Sequence, residues 1–120
     1  MSEKLSAEEK IRRRAEYQRC YRKGRRRHGT YTTVHFVANS LGHPRLGITA
    51  TRKVGPSVVR NRLKRRVREI YRRWDERHEL PSLDIVAHLK PTAREASFEA
   101  LETELLKLCR SLIEKTDRAR

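Results

Sequence analysis

Arg60, Asn61 and Arg62 open a stretch, VVRNRLKRRVREIYRR (residues 58–73), in which eight of sixteen residues are basic and only Glu69 is acidic. Seven of the eight are arginine. A guanidinium fork can hold two phosphate oxygens at once and stack on bases, so this set suits recognition of a polyanion. Asn61 is an uncharged amide among cations; it is either a neutral spacer or a group that hydrogen-bonds a base or a metal-bound water. Tyr17 and Tyr21 form a second set. Four apart on a helix, they share one face, where bases of any sequence can stack for about 1–3 kcal/mol each; half-buried core is the plainer alternative. A self-sufficient nuclease would need clustered carboxylates for two metals or a histidine pair. Glu8, Glu9, Glu16, Glu69, Asp75 and Glu76 are scattered, and His28, His35, His43, His78 and His88 form no recognisable constellation. Cys20 and Cys109 lie far apart with no CxxC, which speaks against a zinc site and for reduced thiols in the cytosol.

The chain around these residues has the size of one domain: 120 residues, with a formal charge of +15. A cation of this size fits nucleic acid. An anionic membrane surface is the other polyanion, but a membrane-binding face calls for more large apolar residues than one Trp and two Phe. No apolar run reaches the length of a membrane span, and MSEKLSAEEKIRRR lacks the apolar core of a secretory signal. No membrane partner is expected. A mean hydropathy of −0.91 leans toward disorder. Clear apolar periods in several segments oppose it, and predict one domain over 1–120 with fraying at about 1–6 and 116–120.

The elements that position the two sets follow from local signals. Ser6 and Glu9 have the form of a capping box, predicting a helix from Ala7 to Arg22 that stops near Gly24. Arg25 to Gly29 reads as a basic turn. Tyr31–Ala38 and Leu46–Arg52 read as strands separated by the turn NSLGHPR, and an antiparallel ribbon of the two is expected. Pro56 suits the first turn of a helix reaching Trp74. On that helix Val59, Leu63, Val67, Ile70 and Trp74 fall within an arc of about 80°. The stripe faces the sheet, the cations face away, and Arg66 must extend its head past the core edge. A merely solvated face would mix charge signs, which this one does not. Leu83–Lys90 reads as a third, central strand, stopped by Pro91. Ser97 caps a last helix carrying Phe98, Leu101, Leu105, Leu108 and Leu112. The order is α-β-β-α-β-α, an α+β two-layer α-β sandwich.

TRKVGPSVVRNRLKRRVREIYR (residues 51–72), with Arg60-Asn61-Arg62, Leu63-Lys64-Arg65 and Arg68-Glu69 at its core, resembles the signature of the bacterial ribonuclease P protein component. Leu46-Gly47-Ile48 before it, Asp84-Ile85-Val86 through Pro91 after it, and the Tyr17, Tyr21, Gly24 spacing fit the same family, so the resemblance covers about residues 10–112. It implies a fold resembling a ribosomal protein S5 domain, with a left-handed βαβ crossover where generic rules predict the right hand. It implies a cytoplasmic protein, monomeric and one per RNA. Its partners would be the catalytic RNA subunit of ribonuclease P and precursor tRNA. The holoenzyme would remove the 5′ leader endonucleolytically, with hydrolysis carried by the RNA and Mg²⁺ held mainly by that RNA; the protein would supply no catalytic residue and no metal ligand. Carried over by position, Arg60, Asn61, Arg62, Lys64, Arg65 and Arg68 would dock the catalytic RNA, with Arg52 and Lys53 at the edge. Tyr17, Tyr21 and His35 would line a cleft for the single-stranded leader. The sequence departs from the family pattern at His35, where an aromatic is common, at Arg66, where an apolar residue is common, and at Pro56, where Asn is common. A ribosomal or other RNA-binding protein shares the charge and size but not the signature. A helix-turn-helix protein would place another helix, not a strand, before the basic one.

Overall fold

Leu83–Leu89 (β4) is apolar on one face and largely buried on both, as befits a strand inside a sheet. The computed structural model describes residues 5–118 and places it there. Three further strands, β1 (Arg25–His28), β2 (Thr32–Ala38) and β3 (Arg45–Ala50), complete a sheet of order β1-β2-β4-β3. β2 runs antiparallel to β4 and to β1, whereas β3 runs parallel to β4. The helices are α1 (Arg14–Lys23), α2 (Ser57–Arg73) and α3 (Phe98–Arg118).

Period-two alternation divides the sheet into two faces. Val34, Phe36, Leu46, Ile85, Ala87 and Leu89 point toward the main core, where Leu63, Val67, Ile70 and Tyr71 of α2 and Leu101, Leu105, Cys109 and Leu112 of α3 meet them. On the opposite face a smaller cluster of Ile11, Cys20 and Val86, with Tyr17 and Val37 against it, seats α1. The α+β class agrees with expectation; the two-layer arrangement does not, because α1 packs on the face opposite α2 and α3 and helices cover both sides of the sheet.

Four local expectations are corrected. β2 and β3 form no ribbon: β4, the most buried strand, takes the central place between them, antiparallel to β2 and parallel to β3, and α2 supplies the crossover that a parallel β3–β4 pair requires. Arg25–His28 is an edge strand and not a turn, so the order gains a strand, α-β-β-β-α-β-α. Charged residues suit an edge, and Arg27 turns its guanidinium onto the Phe36 ring, 5.5 Å from the centroid. The first helix begins at Arg14. The Ser6–Glu9 box forms, with the Ser6 N–H donating to the Glu9 carboxylate at 3.0 Å, but it closes a single 3₁₀ turn. The chain then extends so that Ile11 N–H donates to Leu46 O at 3.0 Å, which a longer helix would forbid. β3 ends at Ala50, and Arg52–Val54 is a 3₁₀ turn. Residues 1–4 and 119–120, within the stretches expected to fray, lie outside the described residues.

α1 is tied to the sheet by charge as well as by packing. Arg45 on β3 grips the buried Asp84 on β4 with two bonds, Nε to Oδ1 at 2.9 Å and Nη2 to Oδ2 at 2.7 Å. Its remaining nitrogen donates to Glu16 on α1 at 3.0 Å. Burial alone would raise the Asp84 pKa, but the bonds from Arg45 and Asn39 outweigh it and hold the carboxyl below its ordinary 3.8. A lowered folded pKa means stability that is present above pH 3.8 and lost as pH falls through the folded value. Arg45→Ala, which strands the buried carboxylate, should cost about 3–5 kcal/mol in urea unfolding at pH 7. The difference from wild type should shrink as the pH is taken below 3.8, where Asp84 is neutral in the variant.

Candidate nucleic-acid interface

Leu63, Val67, Ile70, Tyr71 and Trp74 are all buried, so α2 lies on the sheet with its other side outward. Tyr71, unmarked in the stripe, proves to be its largest fully buried side chain and meets the Trp74 ring edge-on at 6.3 Å. On the outward side Asn61, Arg62, Arg65 and Arg68 are exposed. Among the described residues no hydrogen bond or ion pair engages them or Lys64. The only acid of the helix sits at its far end, where Glu69 pairs with Arg73 at 2.7 Å and Arg72 at 3.4 Å. The N-terminal two thirds of the helix is therefore an uncompensated cationic ridge. Arg60 is tethered differently: it donates to Gly55 O and Ser57 Oγ, both at 3.1 Å, and so fixes the start of α2. Val58, 75 % exposed, stands beside it. Arg52 and Lys53 project from the exposed 3₁₀ turn before the helix, and Arg66 is half-buried.

The ridge turns into a cleft of about 760 Å³. Lys64, Arg65 and Arg68 form one wall, Leu46, Gly47 and Ile48 of β3 the floor, and Tyr17 with Lys10 and Ile11 the other wall. Tyr17 lies flat enough on the strand that a Cβ on Gly47 would come within 2.6 Å of its ring, so only glycine admits this approach. Its hydroxyl donates to Ile11 O at 3.3 Å. Gly24 ends α1 for a similar reason: a Cβ there would meet Cys20 O and Phe36 O.

Tyr21, one turn on, is 38 % exposed and reaches a different part of the same sheet face. Its hydroxyl lies 2.6 Å from Thr49 Oγ1, which lies 2.8 Å from His88 Nδ1. Its ring meets His35 edge-on at 4.6 Å between centroids, and His88 is 6.2 Å from Tyr21 and 6.4 Å from His35. Two of the histidines thus do come together, against the sequence reading. His88 and Thr49 were not visible as site residues, because only the β2-β4-β3 strand order makes them neighbours of Tyr21. Burial, then the neighbouring His88, Arg26 and His28, hold His35 below the ordinary histidine range; burial alone does so for His88. Both rings are accordingly neutral at pH 7.

Burial pushes the Cys20 thiol up to about 11 and that of Cys109 to about 12, far from thiolate formation at pH 7. Among the described residues no three His, Cys, Asp or Glu side chains stand close enough to hold a metal ion, and no helix is long and apolar enough to cross a membrane.

A cationic ridge beside a cleft walled by Tyr17, on a small α+β fold, defines a class of protein suited to face a polyanion. The comparisons with known proteins narrow it. A family model described as ribonuclease P matches residues 5–113. A ribonuclease P protein component of Desulfovibrio desulfuricans is 43% identical over 112 residues, covering 86% of this chain and 82% of its own. That of Alkaliphilus metalliredigens is 33% identical over 108 residues, covering 90% and 96%. The solved structure of the Thermotoga maritima RNase P protein superposes with a TM-score of 0.76 at 32% identity, covering 86% of this chain and 96% of that one. The chain belongs to the ribonuclease P protein family.

The Gly47–Tyr17 contact provides a direct check on the cleft. Gly47→Ala should force the ring off the strand and destabilise the protein by about 1–3 kcal/mol in urea unfolding, the usual cost of overpacking.

Proposed function

We propose that this chain acts as the protein subunit of ribonuclease P, binding the catalytic RNA through α2 and the 5′ leader of precursor tRNA through the cleft. The observation that carries the reading is the ridge of Asn61, Arg62, Lys64, Arg65 and Arg68, held by a buried stripe and, among the described residues, without a hydrogen bond or ion pair. A helix so charged repels itself, since like charges at i and i+4 cost a few tenths of a kcal/mol per pair. A phosphate backbone removes that cost and releases counterions. Arg60 sets the start of the ridge, and Arg52 and Lys53 extend its edge. Asn61, at the centre, hydrogen-bonds an RNA base, a phosphate or a hydrated metal held by the RNA.

The leader passes from Tyr17 in the cleft onto the neighbouring part of the sheet face, where Tyr21 and His35 lie. Flat rings stack on any base, which suits a strand whose sequence differs from one tRNA to the next. Because the ridge and the cleft share the wall of Lys64, Arg65 and Arg68, a strand in the cleft lies against the docked RNA. The leader is removed by endonucleolytic hydrolysis. The RNA performs it and holds the Mg²⁺, a reading supported by the lack, among the described residues, of any acid cluster able to hold a metal ion; Mg²⁺ would supply there an activated water and a Lewis acid. One protein monomer serves one RNA, and the site of action is the cytoplasm.

Reconstitution tests the reading: added to the catalytic RNA at low Mg²⁺, the protein should stimulate cleavage of precursor tRNA, and a rate equal to that of RNA alone would sink the claim. Tyr17→Ala with Tyr21→Ala should weaken binding of leader-bearing substrate by about 1–3 kcal/mol per stacked base while sparing mature tRNA. Equal losses on the two substrates would refute the cleft assignment.

A further inference from the structure

Beside the last turn of α1, one row of side chains crosses all four strands. His28 on β1 is opposite Thr33 on β2, Thr33 is opposite His88 on β4, and His88 is opposite Thr49 on β3. In the adjoining row Arg26 is opposite His35. Matched positions share a face, and this is the face that α1 covers only in part. His35 is faced by Arg26 and His28 from β1, His88 from β4 and Tyr21 from α1. His88 is faced by Thr49 from β3, Thr33 and His35 from β2 and Tyr21 from α1. α2 and α3 lie on the other face of the sheet. No carboxylate is among the groups acting on either ring. Arg26 and His28 stand beside His35, and among the described residues no carboxylate stabilises a charge on either half-exposed imidazole. An incoming phosphate is the anion that would.

We propose that His35 and His88 form a proton-linked contact for the phosphate backbone of a single RNA strand, taking up protons as the strand binds. The proposal rests on the leader assignment above and adds to it the residue His88, the ligand group and a dependence on pH. The hydrogen-bond geometry supplies a mechanism. With His88 Nδ1 unprotonated, the Thr49 hydroxyl donates to it and the Tyr21 hydroxyl donates to Thr49, leaving the tyrosine oxygen only able to accept. A proton on Nδ1 reverses the chain: Nδ1–H donates to Thr49 Oγ1, the Thr49 hydroxyl donates to the Tyr21 oxygen, and the Tyr21 O–H turns outward. The same proton thus adds a positive charge and turns a phenol from acceptor to donor, both of which favour phosphate. His35, packed edge-on against that phenol, gains its charge beside it. Proton uptake on binding means affinity that rises as the pH falls, by at most about tenfold per pH unit for each fully coupled proton.

The test is an NMR titration of the full chain at constant salt, following the imidazole signals from pH 8 to pH 5.5 with and without a saturating single-stranded octaribonucleotide. His35→Asn and His88→Asn assign the two signals. Both rings should titrate below the ordinary histidine value when free, and about one unit higher when bound. The strand's Kd should tighten toward low pH, and the double variant should lose that pH dependence. If the strand binds, moving the Tyr17 and Tyr21 ring signals, while both histidines titrate unchanged and the affinity is flat with pH, the proton linkage is wrong and the leader assignment survives. If no strand binds at these rings, both are overturned.

Discussion

Leu63, Val67, Ile70 and Tyr71 are buried under α2, and what they gain from the sheet offsets the repulsion among the cations above them. Full burial of each such side chain contributes about 1.5–3 kcal/mol, against a few tenths for each like-charge pair. The margin is wide enough to keep the helix formed and its arginines in place. A flexible tail of the same composition would bind phosphate as well, but it would order its side chains only on binding and lose affinity to that entropy. Here the ordering is done in advance by the core.

The other face of the sheet depends on the first. β3 and β4 carry α2 and α3 on one side, and on the other they present Gly47, Thr49, Val86 and His88 to α1. Arg45 joins the layers, because one guanidinium holds Asp84 on β4 and Glu16 on α1 at once. The position of α1 over the strands, and with it the place of Tyr17 and Tyr21, follows from that charge network together with the bare backbone at Gly47. The cleft and the ridge are consequently parts of one rigid arrangement.

Much of this was legible in the residues. The stripe of α2, the interior character of Leu83–Leu89 and the capping of α3 by Ser97 all follow from period and propensity. What escaped was non-local. Arg25–His28 has no apolar signal, because an edge strand needs none; its place is set by Phe36, which takes Arg27 onto its ring. The Ser6–Glu9 box formed but could not extend into a helix, since Ile11 pairs with Leu46 far along the chain. The link from Tyr21 through Thr49 to His88 exists only because β4 lies between β2 and β3, and no short window of sequence contains strand order.

That strand order has a consequence for how the chain acquires its structure. β2 and β3 are neighbours in sequence but not in space, and each is completed only by β4, which is made after α2. A chain emerging from its N-terminus would present the whole basic helix before the strand that closes the sheet beneath it existed. The entropy of closing the long β3-to-β4 loop must be met before the parallel pairing returns anything. Folding is therefore held back to a late and concerted step, and until Leu83–Leu89 is available the arginines of α2 belong to a segment with no sheet to stand on.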